Sequence, residues 1–133
     1  MDVRIGILLR IIEERAGVLQ MSSGDIGSLL GLSEARVLRL FNSEVGKTLR
    51  SHVRAVRMAR AAELLKDYSI PIKTIASLCG YTLVNNFYRD FKAVHGTSPM
   101  QMRQMHMTLL MHHDKDSALH AAILTVTPNR KMD

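Results

Sequence analysis

Two arginines, Arg39 and Arg89, stand at matching positions of a short pattern that occurs twice in this chain. A guanidinium group can donate two parallel hydrogen bonds to one planar acceptor, whether a carboxylate, a phosphate or the edge of a guanine base. Asn85 lies one helical turn before the second arginine, and the amide group of asparagine can form a bidentate pair of hydrogen bonds with adenine. These side chains indicate recognition of a polar or anionic partner.

Residue sets typical of catalysis are not visible in the sequence. We find no Ser, His and Asp arrangement, no carboxylate pair and no glycine loop that would cradle a phosphate, so we expect neither an enzyme nor a cofactor. The single cysteine, Cys79, is predicted to be a small buried hydrophobic residue. The tail is rich in histidine and aspartate, but their spacing fits no zinc pattern, and no metal site is predicted.

The pattern around the two arginines is an internal repeat. Residues 26–33 match residues 75–82, with apolar, small and glycine residues in the same order. One extra residue in the second copy then restores the register for four further pairs: Val37, Arg39, Phe41 and Gly46 with Phe87, Arg89, Phe91 and Gly96. Each copy predicts a short helix, a tight turn around Gly31 or Gly80, and a second short helix, which is the helix-turn-helix pattern.

The second helix of each copy is predicted to have an apolar inward face and an outward face that the unit leaves uncovered. The inward residues are Val37, Leu40 and Phe41 in one copy, and Phe87, Phe91 and Val94 in the other. The outward residues are Ala35, Leu38, Arg39 and Asn42, then Asn85, Tyr88, Arg89 and Lys92. In helix-turn-helix proteins the outward face enters the major groove. The alternative is that Asn85 and Asn86 only solvate a helix start, and Val84 fits either face.

Composition and charge favour a helical, polyanion-binding chain. The 133 residues carry a formal net charge of +6, are 47% hydrophobic and 5% aromatic, and include only 3 prolines. All of the excess positive charge lies in residues 1–104, and five basic residues fall between Glu44 and Glu63: Lys47, Arg50, Arg54, Arg57 and Arg60. This block could contact phosphate, pair with those two glutamates, or form a solvated helix face. No apolar run approaches the ~18 residues that a membrane span needs, and no signal peptide is recognised, so we expect a cytoplasmic protein.

Capping residues and helix breakers divide the chain into four segments. A helix over 3–16 and the first unit occupy residues 1–47, a linker helix follows over 48–66, and the second unit occupies 67–104. Ser22 with Asp25 predicts a capping box, Thr82 predicts another helix start, and the last helix of the second unit is expected to end near Gln104. Residues 105–133 are predicted to be a helical extension with a flexible tail. The fold class is therefore all-α, with two homeodomain-like three-helix units joined by the linker helix.

Residues 22–103 resemble the DNA-binding domain of AraC/XylS-type transcription regulators. The resemblance rests on Ile26-Gly-Ser-Leu-Leu-Gly-Leu-Ser33, Arg39-Leu-Phe41, Gly46-Lys-Thr48, Ile72-Lys-Thr-Ile-Ala76, Cys79-Gly-Tyr81, Phe87-Tyr-Arg-Asp-Phe-Lys92 and Gly96-Thr-Ser-Pro99. It implies that base edges are contacted by Ala35, Leu38 and Arg39 in one groove, and by Val84, Asn85, Tyr88 and Arg89 in the next. Seven further residues are assigned to the DNA backbone: Arg36, Asn42, Lys47, Arg50, Arg54, Asn86 and Lys92.

The resemblance implies double-stranded DNA as the partner. Because the two units follow one another in tandem, we expect a monomer on an asymmetric site, acting as an activator rather than a repressor and touching RNA polymerase. The residues before Ser22 predict only one helix, so the chain resembles the stand-alone members of the family; a fragment of a longer regulator is the alternative. The alternative function is a protein-interaction module that binds another regulator or RNA polymerase without reading DNA. Asp90 and Val84 favour it, and at position 90 a carboxylate stands where the family usually has an apolar or hydroxyl residue.

Overall fold

This computed structural model describes residues 1–132, and the side chains of all of these except 113–115 and 124–132. Over that range the chain forms seven helices and no strand: α1 (Val3–Glu14), α2 (Ser23–Leu30), α3 (Glu34–Val45), α4 (Leu49–Leu64), α5 (Ile72–Leu78), α6 (Val84–His95) and α7 (Pro99–Met132). Helices α2 and α3 form the first helix-turn-helix, and α5 and α6 form the second. The predicted all-α fold with two such units is confirmed.

Each unit turns at a glycine with a left-handed backbone. Gly31 has a φ of 72° and Gly80 a φ of 88°, a conformation that glycine adopts without steric cost. The capping box at Ser22 is present, because its hydroxyl accepts a hydrogen bond from the Asp25 backbone N–H while the Asp25 carboxylate accepts one from the Ser22 backbone N–H. These local signals fix where α2 begins and where each turn lies.

The helix start predicted at Thr82 is wrong by one residue. Leu83 is the N-cap of α6, and no side chain accepts a capping hydrogen bond there. The extra residue of the second copy lies in this turn, so the chain takes one more residue from Gly80 to Val84 than from Gly31 to Glu34. The added residue moves Thr82 out of the capping position.

Two hydrophobic cores hold the molecule together, one in each unit. The first contains Ile5, Leu8, Ile12, Ile26, Val37, Phe41 and Leu49. The second contains Met58, Ala61, Leu65, Ile72, Ile75, Ala76, Cys79, Phe87 and Phe91. Cys79 is fully buried as predicted, and burial raises the pKa of its thiol. The arginines Arg39 and Arg89 both stay outside these cores, on exposed faces of α3 and α6.

The prediction that Val94 lies on the inward face of α6 is wrong. Val94 is 38% exposed, whereas Phe87 and Phe91 are fully buried. His95 lies inward instead, with its ring centroid 4.4 Å from that of Phe91 and its Nε2 2.9 Å from the Met58 carbonyl oxygen. Phe87, Phe91 and His95 are spaced four residues apart, so they form one continuous stripe on the helix.

Helix α4 is shorter than predicted and is packed along its length. Its 16 residues, Leu49–Leu64, span about 24 Å at 1.5 Å per residue, where residues 48–66 were expected to be helical. Leu49 belongs to the first core, and Met58 and Ala61 belong to the second. The linker helix therefore packs into both units, and the packing of its side chains in the two cores sets the distance between the units.

The last helix, α7, does not end near Gln104 but continues without a break into the helical extension expected after it. No glycine or proline occurs between residues 100 and 127, and the residues there are mostly good helix formers. At its start, the buried Arg103 donates from Nε to the Leu65 carbonyl and from Nη2 to the Asp67 carbonyl, both at 3.1 Å. These bonds satisfy one carbonyl at the C-cap of α4 and one in the connection that follows, and they fix α7 to the second unit. The tail residues His113 and Asp114, and part of the apolar stretch 118–126, lie outside the described side chains.

Replacing Gly27 by Ala should destabilise the first unit by about 1–3 kcal/mol, because the packing there has no space for a methyl group. A Cβ at Gly27 would lie 2.6 Å from the Leu32 carbonyl oxygen, which is backbone and cannot rotate away. Gly6 is the matched control, since it is also helical and a Cβ there meets nothing within 4 Å. Gly6→Ala should stabilise by up to about 1 kcal/mol. Urea unfolding measures both, and equal effects of the two variants would contradict the assigned close contact.

Protonation of His52 should destabilise the protein at mildly acidic pH. Both ring nitrogens are buried without a hydrogen-bond partner in the described structure, and the ring lies 5.6 Å from that of Phe41. Burial and then the Lys47 charge hold the pKa of His52 below its ordinary value of 6.5. The unfolded chain therefore binds the proton more readily, so this contribution to stability is present above about pH 6.5 and declines as the pH falls towards the folded pKa. Melting temperatures at pH 7.5 and 5.5 should differ more in the wild type than in His52→Leu, and an unchanged difference would contradict this role.

Candidate nucleic-acid interface

Helix α3 presents the outward face that the sequence predicts. Ala35, Leu38, Arg39 and Asn42 are all exposed, while Val37 and Phe41 on the opposite side are fully buried. The first helical turn is fixed by Ser33, whose hydroxyl accepts a hydrogen bond from the Arg36 backbone N–H. The Arg36 side chain is exposed at the edge of this face. The arrangement leaves the Arg39 guanidinium free for an external acceptor, since none of the ion pairs in the described part of the chain involves it.

Helix α6 presents a matching exposed face, but two of its predicted DNA-contact residues are half-buried. Asn85, Tyr88, Arg89 and Lys92 are exposed, and Asn86 is half-buried. Val84 is also half-buried and packs against the second core, so only part of its side chain is open to a ligand. The ring of Tyr88 lies 6.0 Å from that of the buried Phe87. The outward face of α6 is therefore polar and basic, with an aromatic ring at its centre.

A cleft lies between the two units. It is lined by Leu38 of α3, by Asp90 of α6 and by arginines of α4. Arg50 is exposed, whereas Arg54 is half-buried and its Nε bonds to no acceptor in the described structure. Two predicted backbone-contact residues thus line the cleft, together with one residue of α3 and one of α6. Their positive charge would favour an anionic chain that crosses the cleft.

Arg57 has a structural role, although the sequence places it in the block of basic residues between Glu44 and Glu63. Its Nε donates a hydrogen bond of 2.6 Å to the Gly17 carbonyl oxygen, in the connection between α1 and α2. Its guanidinium carbon lies 5.6 Å from the centre of the Tyr81 ring, within the range of a cation–π contact. Arg57 therefore ties the first unit to the turn of the second. Nothing in the sequence indicates this role, because a backbone carbonyl 40 residues away leaves no side-chain signature.

Lys47 is not brought together with Arg50 and Arg54. It lines a different groove, with Glu13, Arg60 and Glu63. The pairing of the basic block with Glu44 and Glu63 is also not found in the described structure. Glu44 accepts a hydrogen bond of 2.7 Å from the Asp2 backbone N–H, and Glu63 forms an ion pair of 3.1 Å with Lys66. The block is thus split between two sides of α4.

Asp90 is held by two neighbours. Its Oδ2 accepts a hydrogen bond of 2.6 Å from the Tyr81 hydroxyl, and its Oδ1 lies 3.5 Å from Nε of Arg89. Burial, followed by the hydrogen bond to Asp90, raises the pKa of Tyr81, so its hydroxyl stays protonated and donates. The sequence indicates that a carboxylate here needs solvent or a cation, and both a donor and a cation are present.

Other kinds of site find little support in the part of the chain whose side chains are described. No group of three or more histidine, cysteine, aspartate or glutamate side chains comes together there as a metal would require. Within the same range, none of the helices combines the length and the apolarity of a membrane span.

Comparison with known proteins agrees with this geometry. A family model described as a helix-turn-helix domain matches residues 26–105. The xylose operon regulatory protein of Escherichia coli is 28% identical over 82 residues, which are 62% of this chain and 21% of that protein. The transcriptional activator NphR of Rhodococcus is 29% identical over 97 residues, which are 73% of this chain and 29% of NphR. The chain thus spans less than a third of the length of these relatives.

A solved structure shows the same arrangement of helices. The C-terminal domain of AraT, a response regulator from Geobacillus stearothermophilus, matches with a TM-score of 0.72 at 26% identity, over 78% of this chain and 86% of that domain. The family match covers more than half of the chain, including both helix-turn-helix units. The chain therefore belongs to the AraC/XylS family of helix-turn-helix transcription regulators.

Proposed function

We propose that this protein binds double-stranded DNA sequence-specifically, with α3 and α6 inserted into successive major grooves of an asymmetric promoter site. The observation that carries the proposal is the cleft at which Leu38 of α3 and Asp90 of α6 meet Arg50 and Arg54 of α4. DNA that places one major groove on each helix must carry its phosphates across the surface between them. Arg50 and Arg54 are the groups that meet those phosphates.

The base-contacting groups of the proposal are the exposed residues of the two outward faces. Arg39 and Arg89 can each recognise a guanine, and Asn85 can recognise an adenine. The residues at 35, 38, 84 and 88 contribute apolar or aromatic contacts to neighbouring base edges. Arg36 and Asn86 lie beside these faces, and they hold the phosphates together with Asn42 and Lys92 of the faces themselves. Lys47 extends the positive potential from the other side of α4. We propose a monomer on DNA, because the two units are tandem copies and are not related by two-fold symmetry.

Activation is the regulatory outcome that we propose, with RNA polymerase as the second partner. It is supported by NphR, a similar protein that is described as a transcriptional activator. A surface for a protein partner also exists beside the DNA face. An apolar groove between α1 and α2 is lined by Ile7, Ile11, Met21 and Leu29, all of which are exposed. The same groove favours the alternative function, a protein-interaction module that does not read DNA.

Selection of bound sites from a random DNA pool tests the proposal against this alternative. The purified chain should enrich a non-palindromic site with two blocks of preferred bases about ten base pairs apart. Its affinity for that site should fall steeply between 50 and 200 mM salt, since several phosphate contacts release counterions. Failure to enrich any sequence, together with no binding to random duplex at low salt, would favour the interaction module.

Arg50→Ala should weaken specific and non-specific DNA alike and reduce the slope of log affinity against log salt by about one unit. Arg60→Ala is the matched control, because Arg60 lies on the same helix, is also exposed and lines the other groove with Lys47 and Glu63. It should change the slope little. Fluorescence anisotropy on a labelled duplex at four salt concentrations measures both slopes. Equal slopes for the two variants would place the DNA elsewhere than at the cleft.

Arg39→Ala and Arg89→Ala should each relax sequence preference in a different half of the site. The loss of a two-pronged contact with guanine should cost about 1–3 kcal/mol at the preferred base pair. Both side chains are exposed and outside the cores, so the circular dichroism and melting temperature should stay unchanged. Site selection repeated with each variant identifies the half that loses its preference. If both variants kept the wild-type site, α3 and α6 would not be the helices that read bases.

A further inference from the structure

The two matched arginines differ in what surrounds them. Arg89 has the Asp90 carboxylate 3.5 Å from its Nε, whereas the residue after Arg39 is Leu40, which offers no charge. The carboxylate is only partly exposed, at 19% of its side-chain surface, while the Arg89 side chain is 65% exposed. The negative charge of Asp90 thus lies beside Nε of Arg89, and most of the Arg89 side chain remains exposed. No such support exists for Arg39 in the described structure.

The support is itself anchored in the second unit. The Tyr81 hydroxyl donates to Asp90 at 2.6 Å, the ring of Tyr81 packs edge-on against Phe87 at 5.5 Å, and Arg57 lies over that ring at 5.6 Å. Because Phe87 is fully buried, the Tyr81 ring is held by the core itself. The Asp90 carboxylate therefore has a fixed position, with one oxygen bonded to Tyr81 and the other turned towards Arg89.

The geometry of this contact suits an arginine that reads a base. Asp90 approaches Arg89 through Nε, and this approach leaves the two terminal nitrogens for a second acceptor. Guanine presents two acceptors side by side in the major groove, and the end of a guanidinium matches them. Holding a flexible side chain in place before binding removes part of the entropy cost of ordering it. A carboxylate behind the arginine also repels DNA phosphate, and phosphate is the competing acceptor for the same guanidinium.

We propose that Asp90, anchored by Tyr81, is a specificity-determining residue that positions Arg89 for guanine and disfavours its use on phosphate. The proposal rests on the DNA-binding function proposed above and concerns only the half of the site read by α6. The half read by α3 has an unsupported arginine and provides an internal reference. Arg89 should therefore depend on its neighbours for base discrimination, while Arg39 should not.

The test measures discrimination, defined as the affinity ratio between the selected duplex and one with the guanine contacted by α6 replaced. Asp90→Asn keeps the size and the acceptor for Tyr81 but removes the charge, and Tyr81→Phe removes only the anchoring hydroxyl. Each should lower discrimination at the α6 position by about 2- to 10-fold, the value of one pre-ordered side chain. Discrimination at the α3 position should stay unchanged. Asp90→Asn should also bind random duplex more tightly, because a repulsion of phosphate is lost.

A double-mutant comparison separates positioning from a merely structural effect. In an Arg89→Ala background, Asp90→Asn should no longer change discrimination, whereas general damage to the unit would still lower the affinity for the selected duplex. Melting temperatures of all variants check the fold, and Tyr81→Phe covers the case in which Asp90→Asn is unstable. If Asp90→Asn and Tyr81→Phe keep or increase discrimination while Arg89→Ala loses it, Asp90 does not position Arg89 and the inference is overturned. If Arg89→Ala has no effect on discrimination, the inference is overturned as well. If the wild-type protein binds no duplex, both the inference and the proposed DNA-binding function are overturned.

Discussion

Helix α4 contributes buried residues to both hydrophobic cores, and this double packing is the constraint on which the rest of the structure depends. Leu49 is inserted in the first core, and Met58 and Ala61 in the second. Because α4 has side chains in both cores, it cannot rotate against either unit without exposing apolar surface. Each Å² of apolar surface exposed to water costs roughly 25 cal/mol. The separation and orientation of α3 and α6 therefore follow from side-chain packing on a single helix.

Arg57 adds a polar restraint to this apolar one. Its hydrogen bond to Gly17 and its contact with the Tyr81 ring join the two units at the cleft, next to Arg50 and Arg54. An arginine suits this position because its long apolar stem can pack while its planar head meets a carbonyl and a ring. The same cleft thus holds one arginine that fixes the units and two that are proposed to contact DNA phosphate.

The two copies of the repeat have diverged in the support given to their outward faces. The first copy has Leu40 after its arginine, and the second has Asp90, with Tyr81 in place to bond it. The extra residue before α6 also shifts its start relative to that of α3. Tandem units that differ in this way are compatible with the asymmetric DNA site proposed above, because each half of such a site would meet a different protein surface.

The sequence by itself determined the features that depend on local spacing, and the tertiary structure decided those that depend on distant partners. Glycine positions, the capping box at Ser22 and the helical periodicity were enough for the all-α fold, the two units and the exposed faces bearing Arg39 and Arg89, because each signal acts within a few residues. The roles of Arg57, His95 and Arg103 could not be predicted, since each bonds to a backbone carbonyl more than 35 residues away and carbonyls have no sequence identity. The split of the basic block, with Lys47 on one side of α4 and Arg50 on the other, was likewise decided by which face of the helix the two cores cover.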